Sequence, residues 1–546
     1  MATLPTGPRD DDGRRRWTAA AVLAAVVLLH LAALNNYWAV EPDSGVYLSL
    51  GRSLAEGRGM EYNGQPSGGL PPLFPLLIAG CRLLFGPAPS TALGTGFWPV
   101  NLAVTLCGAG VAAAAYPLAR RLARDARTAD IPLALGVLIL TGTGSRLFID
   151  STRILTDVPC ALLVTLGLYA FVRARQEHWA WCWAGLGLLV AASATRLPAA
   201  VFLPAVVLGQ ALDWRRAGWS KRLGATVGAG AVVAAAAAGW WFLVRKGSAA
   251  AAPDYFATIF ERFRFDLWNR WVQWGEGPLR LPGALCEAIT GQELKYFNLV
   301  PTALIAAGLV SAARRGLWVV VCPALAWIVF LLLLGGAAVA PRYLLPIVPI
   351  LTWALLVGTD RAALSLGRRN NEADAAASAK RRRAALALVT AFCAAISLPK
   401  AVREVVRMRR SDFYETYEHG EWKGWIAIGE HLASLRQKGA PAAGDRALAP
   451  QPAVFNYLTG LRTDAELYWA PRDIVLGYGV PSPSFAFADL AAEGPWRLVV
   501  IPTDKGLWSE EAMGRLEATG AFGPPERFGD LVLYVRASPH AGAGAR

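Results

Sequence analysis

Carboxylate and guanidinium side chains recur in this chain just beyond the ends of long apolar runs, where ionisable groups are scarce. The first set is Glu41-Pro42-Asp43-Ser44. A carboxylate held where the chain leaves an apolar run can receive or orient a proton for a substrate carried in lipid. Aspartate at a helix start is equally a favoured N-cap, and an N-cap aspartate can also do chemistry. Glu41 precedes a proline and reads first as a solvated turn residue. The second set is Asp150-Ser-Thr-Arg153-Ile-Leu-Thr-Asp157-Val-Pro. Asp157 falls in the first turn of an apolar helix, where the helix dipole stabilises a negative charge. It is a functional acid or an interfacial cap. The third set is Arg153, Arg196 in Thr195-Arg196-Leu197-Pro198, and Arg342 in Pro341-Arg342-Tyr343. Planar guanidinium groups suit bidentate recognition of phosphate. Snorkelling towards headgroups, or pairing with Asp150 or Asp157, is the plainer use.

These side chains need elements to hold them, and the composition says of what kind. The chain has 546 residues, of which 54% are hydrophobic and 17% charged. That is too apolar for a soluble protein of this length. Runs of about 17–25 apolar residues read as membrane-spanning helices. They fall at Trp17–Trp38, Gly94–Ala119, Ile131–Phe148, Ile154–Val172, Trp179–Ala194, Leu197–Leu212, Leu223–Val244, Leu299–Ala313, Leu317–Leu334, Tyr343–Gly358 and Ala384–Leu398. Leu70–Phe85 is short, proline-rich and interrupted by Arg82, so it reads as an interfacial or re-entrant helix. Val46, Leu50 and Leu54 recur every four residues and predict a second in-plane helix over Ser44–Glu56.

The charge pattern orients about eleven such spans. Lys and Arg outnumber Asp and Glu by 54 to 40. The excess gathers in alternate loops, at Arg120–Arg127, Arg173–Arg175, Arg215–Arg222, Arg314–Arg315 and Arg361–Arg383. This positive-inside pattern puts the N-terminus in the cytoplasm. Arg368–Arg383 reads as a flexible loop beside anionic headgroups. Clusters between apolar runs are not a nucleic-acid-binding face, so nucleic acid is excluded as a partner.

Three stretches are then large and outside. The first outer loop is 41–93, and a second, aromatic-rich loop is 245–298, in which Phe260–Trp274 could line a cavity. The tail 401–546 predicts a soluble, extracytoplasmic α/β domain. It has helical periodicity at Glu421–Arg436 and Ser509–Thr519 and strands at Arg497–Pro502 and Leu531–Val535. The expected architecture is a polytopic α-helical membrane domain, residues 1–400, followed by that domain. The seven cysteines form no CxxC pair and the five histidines no HExxH, so neither motif predicts a zinc site.

With these residues in place, the chain resembles the polyprenyl-phosphate-sugar-dependent glycosyltransferases of the GT-C superfold. The nearest likeness is to bacterial relatives of protein O-mannosyltransferases and of the lipid A aminoarabinose transferase. The resemblance rests on Pro42-Asp43-Ser44-Gly45-Val46-Tyr47, Leu54-Ala-Glu-Gly57, Pro71-Pro-Leu-Phe-Pro75, Leu84-Phe-Gly86, Ile154-Leu-Thr-Asp-Val-Pro159, Thr195-Arg196 and Pro341-Arg-Tyr-Leu-Leu-Pro346. It implies inverting transfer of a sugar from a polyprenyl-phosphate donor to a lipid, glycan or protein acceptor. The site would lie at the outer face of the cytoplasmic membrane, among membrane lipids. It implies Asp43 as the acid near the acceptor, with Asp157 or Asp150 as an acid from the next outer loop and Glu41 beside Asp43. Arg342, with Tyr343, Arg153 and Arg196, would face the donor phosphate. Many relatives carry an Asp-Glu pair where this chain has Asp43-Ser44. The resemblance leaves open a divalent metal, which would lie at Asp43 and Asp157. A transporter or flippase, or a non-catalytic scaffold of the same fold, is the competing reading. Ionisable groups at span ends rather than mid-membrane favour the enzyme.

Overall fold

A computed structural model describes residues 9–39, 41–67, 70–86, 96–125, 130–214, 230, 276–294, 297–334, 339–369, 375–410, 421–437, 445–464, 484–503 and 507–536. The expected span Leu223–Val244 and the aromatic stretch Phe260–Trp274 lie outside these residues, apart from residue 230. The chain divides into two compact units. One comprises Met1–Leu34, Gly68–Phe74 and Asn101–Val406; the other comprises Asn35–Ser67, Pro75–Val100 and Arg407–Arg546. This differs from the expected division near residue 400. Much of the first outer loop belongs with the C-terminal part of the chain rather than with the helical part.

The first unit is helical. Among the described residues, four stretches are long and apolar enough to cross a membrane: Trp98–Asp125, Asp157–Gln176, Pro341–Leu366 and Ala376–Met408. Shorter apolar helices include Trp17–Ala32, Ile131–Thr143, Trp181–Thr195, Leu299–Arg314 and Trp318–Leu333. Small residues bring neighbouring helices close, as in lipid, where packing replaces hydrophobic drive. A Cβ added at Gly308 would collide with the backbone of Ala354, and one at Gly358 with that of Leu304. These two glycines seat Leu299–Arg314 against Val348–Arg369. The ring of Phe202 stacks on Trp327 at 4.9 Å. Asp213 accepts hydrogen bonds from the backbone N–H groups of Trp318 and Val319, at 3.1 and 3.3 Å, and so caps the helix that starts there.

Several expected spans are altered by backbone chemistry. Ile131–Phe148 breaks at Gly144 into Asp130–Thr143 and the short helix Ser145–Asp150. Gly144 has ψ 109°, which no helix accommodates. The spans expected at Leu197 and Tyr343 open instead with 3₁₀ turns, Leu197–Val201 and Pro341–Ile347. In the second of these Pro346 supplies no N–H to an α-helical ladder, whereas Pro198 and Pro341 sit at the helix starts, where proline is tolerated. The basic stretch expected as a loop up to Arg383 becomes helical from Ala375. Arg382 there forms a two-pronged ion pair with the buried Asp360, both bonds 2.7 Å.

The second unit is built on a five-stranded sheet. Its strand order is Arg462–Asp464, Arg446–Leu448, Trp496–Pro502, Leu531–Val535, Glu526–Phe528. The first two pairings are parallel and the last two antiparallel. Val499, Ile501, Val532 and Tyr534 alternate onto one face, where Phe487, Ala491 and Leu516 cover them. The helix Pro42–Ala55 belongs to this unit. Pro42 at its first position is preset for the helix, so the helix starts two residues earlier than the apolar spacing predicts. Asn63 and Gly64, with φ 57° and 70°, close the hairpin of Glu61–Tyr62 and Gln65–Pro66. The Asn63 amide then mimics a strand. It donates to the Thr463 carbonyl at 2.7 Å and accepts from the Thr463 N–H at 2.5 Å.

Candidate donor-phosphate site

In the first unit, three separated pieces of chain bring charges around one ring. Arg196 is the residue at which the helix Trp181–Thr195 ends, its backbone turning extended at φ −148°. This turn aims its side chain at Asp157, in the first turn of the helix Asp157–Gln176, and the two form an ion pair. The Arg196 guanidinium carbon also lies 4.9 Å from the centroid of the Tyr343 ring. The Arg342 guanidinium lies 4.7 Å from the same centroid and donates to the Tyr343 hydroxyl at 2.6 Å. Trp327 fixes that residue from behind, donating its indole N–H to the Tyr343 carbonyl at 2.7 Å. Two guanidinium groups thus share one aromatic residue. Cations so placed repel each other, and an anion between them relieves the repulsion.

Asp150 has a different setting. Its side chain is fully buried and accepts two hydrogen bonds from Arg146, at 2.9 and 3.0 Å, within the same short helix. Burial is the main influence on this carboxyl and raises its pKa; Arg146 and Arg153 oppose that rise, and Asp157 adds to it. Arg153 is itself 7% exposed. Asp150, Arg153 and Asp157 are therefore near neighbours electrostatically. An acid that is fully buried and doubly bonded cannot reach a substrate, so its geometry suits positioning of the segment Arg146–Asp157.

Other members of this neighbourhood escaped the sequence. Glu404, 5% exposed, accepts from the Thr152 hydroxyl at 3.4 Å. Lys400 donates to the Gly291 carbonyl at 2.5 Å. Glu287 is half-buried, and its pKa is raised by burial while Arg146 and Lys400 pull it down. The available signal was helical spacing: Ser397, Ala401 and Glu404 form one buried stripe that runs on past Leu398, where hydropathy ends the span.

Asp43 and Glu41 lie in the second unit. The N-cap is Glu41 rather than Asp43. The Glu41 N–H donates to the Ser44 hydroxyl at 3.1 Å, and the Trp38 indole donates to the same hydroxyl at 2.7 Å. Asp43 is in the first turn with an exposed side chain, beside a positive helix end. The cap is taken by its neighbour, so Asp43 is not the N-cap of this helix. The sequence-predicted residues thus fall into two sets. Asp150, Arg153, Asp157, Arg196, Arg342 and Tyr343 gather in one unit, and Glu41 and Asp43 in the other.

A metal ion does not fit the acids described. Among the described residues, no three His, Cys, Asp or Glu side chains converge as a metal site. Asp157 is committed to Arg196 and Asp150 to Arg146. These acids already meet cations.

Comparison with known proteins bears on the fold. A family model described as dolichyl-phosphate-mannose-protein mannosyltransferase matches residues 70–241. That stretch includes Asp150, Arg153, Asp157 and Arg196 but neither Asp43 nor Arg342. Among solved structures, the chain resembles ArnT from Cupriavidus metallidurans bound to undecaprenyl phosphate, at 17% identity and TM-score 0.61, covering 96% of this chain and 98% of that one. It also resembles the oligosaccharyltransferase AglB from Archaeoglobus fulgidus in complex with an inhibitory peptide and a dolichol-phosphate. There the identity is 11% and the TM-score 0.53, over 97% of this chain and 75% of that one. A search of curated protein sequences gives no match. The fold is that of the GT-C membrane glycosyltransferases, and the chain resembles the ArnT and protein mannosyltransferase branch of it.

Proposed function

We propose that the protein is an inverting glycosyltransferase that takes a sugar from a polyprenyl-phosphate donor at the outer face of the cytoplasmic membrane. The observation that carries the reading is the pair of guanidinium groups, Arg196 and Arg342, on the ring of Tyr343. In the transfer, an acceptor hydroxyl attacks the anomeric carbon. The bond from that carbon to the phosphate oxygen breaks, and the polyprenyl phosphate leaves with the electron pair. Asp43 receives the acceptor proton. Arg342 and Arg196 stabilise the charge that grows on the leaving phosphate. Asp157 holds Arg196 in place, and Asp150 with Arg146 holds the backbone between them.

The remaining features follow from this assignment. The shorter apolar helices cross the bilayer with the four long ones, giving about eleven spans. The N-terminus is cytoplasmic and the C-terminal sheet extracytoplasmic and water-soluble, as the placement of Lys and Arg requires. The acceptor is a lipid, a glycan or a protein, and the donor sugar a hexose or pentose.

The test is genetic and chemical. The gene is deleted, and lipids, glycans and glycoproteins are compared by mass spectrometry before and after restoring wild type or Asp43→Asn. The proposal expects a sugar to disappear on deletion and to return only with wild type. Equal restoration by both versions rejects the role of Asp43, and an unchanged profile on deletion rejects the transfer.

A further inference from the structure

The second unit contains a groove that the transfer scheme does not use. Its walls are Leu48, Ile78, Phe97 and Val100, and Arg82 and Tyr457 are polar groups in its lining. Tyr457 is buried, and Arg82 hydrogen-bonds its phenol. Arg52 also meets that ring. Its guanidinium carbon is 5.2 Å from the Tyr457 centroid, and it donates to the Tyr457 carbonyl at 3.1 Å. Arg82 is close enough to Arg52 to disfavour the charge of Arg52, after burial, which is the larger influence. Among the described residues the acid that acts on Arg52 is Glu56, and Arg58 takes it at 2.5 Å. The groove therefore carries an excess of positive charge on apolar walls.

The surface next to it is just as specific. Arg82 belongs to the helix Leu73–Phe85, whose final residues Leu83, Leu84 and Phe85 are 70%, 79% and 55% exposed. Phe85 meets the exposed Trp98 edge-on, with ring centroids 5.0 Å apart. Exposed leucines beside a Phe–Trp pair are what a segment presents at headgroup depth in a bilayer. A free anion would need the arginines but not the walls; a lipid needs both.

We propose that this groove binds the phosphodiester of an anionic membrane phospholipid at Arg82, with its acyl chains along the apolar walls and Leu83–Phe85. The site belongs to the second unit and does not depend on the donor reading. A bound lipid would anchor the helix Leu73–Phe85 at the membrane surface and fix the depth of the helix Pro42–Ala55. Gly51 makes the contact between those two helices, since a Cβ there would clash with Ile78.

The experiment uses the full chain purified in mild detergent. Native mass spectrometry counts retained lipid after exposure to phosphatidylglycerol or to zwitterionic phosphatidylcholine. The proposal expects wild type to retain phosphatidylglycerol in preference. Arg82→Gln should weaken that preference by about tenfold or more, in line with loss of a charge-assisted hydrogen bond. Arg342→Gln should leave it intact, and Arg82→Lys should keep part of it. Monodisperse elution of each variant shows that it folds. Equal retention by wild type and Arg82→Gln overturns the proposal. So does loss with Arg342→Gln instead, or displacement of the lipid by millimolar inorganic phosphate.

Discussion

Arg196 lies over the ring of Tyr343, its guanidinium carbon 4.9 Å from the ring centroid, while the same side chain is ion-paired to Asp157. An arginine held from two directions keeps little rotational freedom. Under the proposed function it would meet the donor phosphate without the entropic cost that a free side chain carries. Replacing Tyr343 by Leu removes the cation–π contact, worth about 0.5–2 kcal/mol. Donor affinity should fall by between about 2- and 30-fold. Binding of a polyprenyl phosphate, followed by tryptophan fluorescence, measures this. Unchanged affinity would show that the ring does not organise the arginines.

Arg342→Gln removes the cation that bonds the Tyr343 hydroxyl. A hydrogen bond to a charged group contributes about 1.5–3 kcal/mol. The variant should bind the donor about 10- to 150-fold more weakly. Lysine should restore little, because it lacks the planar fork. Titration with a polyprenyl phosphate over a series of ionic strengths checks both statements.

Asp150 governs stability rather than turnover. Removing one partner of a buried ion pair costs about 3–5 kcal/mol, so Arg146→Ala should lower the melting temperature in detergent clearly. The sign with pH follows from the raised pKa. Between the ordinary aspartate value and the raised one, the folded protein holds a proton that the unfolded chain has released. Stability from this group is fully present below the ordinary value and falls as pH rises through the raised one. Asp150→Asn should flatten that part of the profile. Melting curves from acid to neutral pH test it, and a wild-type profile that rises where this group predicts a fall contradicts the assignment if Asp150→Asn leaves it unchanged.

Gly308 and Gly358 make a reciprocal close approach between two helices. Gly308→Val would force the backbones apart, at a cost of about 1–3 kcal/mol for an overpacked contact. The measured effect should be a lower melting temperature and a weaker donor site, since Val348–Arg369 follows directly from the turn that holds Arg342. A variant as stable as wild type would show that the helices do not touch as described.

Much of the fold could be read from the residues, and the exceptions have physical causes. Leu531–Val535 is a short continuous apolar run, LVLYV, and was visible as a strand. The helix Glu421–Gln437 was visible from its period. Spans were placed by hydropathy, which carries no information on backbone breaks; Gly144 and Pro346 supplied those. The site was partly legible. Arginines at outer span ends break the positive-inside pattern, and this singled out Arg153, Arg196 and Arg342. Which acid pairs with which arginine was not legible, because Asp157 and Arg196 are distant in sequence. Glu404 was hidden because hydropathy ends the span before it. The grouping of the first outer loop with the C-terminal sheet depends on Asn63 bonding Thr463 and Ser49 bonding Asn456, pairs that no local pattern reveals.

The proton acceptor is the point on which the whole scheme turns. The direct measurement uses full-length protein in lipid vesicles, with a radiolabelled polyprenyl-phosphate sugar and the acceptor found by profiling the deletion strain. Initial rates and donor binding are compared for wild type and Asp43→Asn. Loss of a general base lowers rates by about 10²–10⁴-fold, so the variant should bind donor normally yet transfer at least about a hundred times more slowly. A variant that transfers within about threefold of wild type, or one slowed only because it no longer binds donor, contradicts the account.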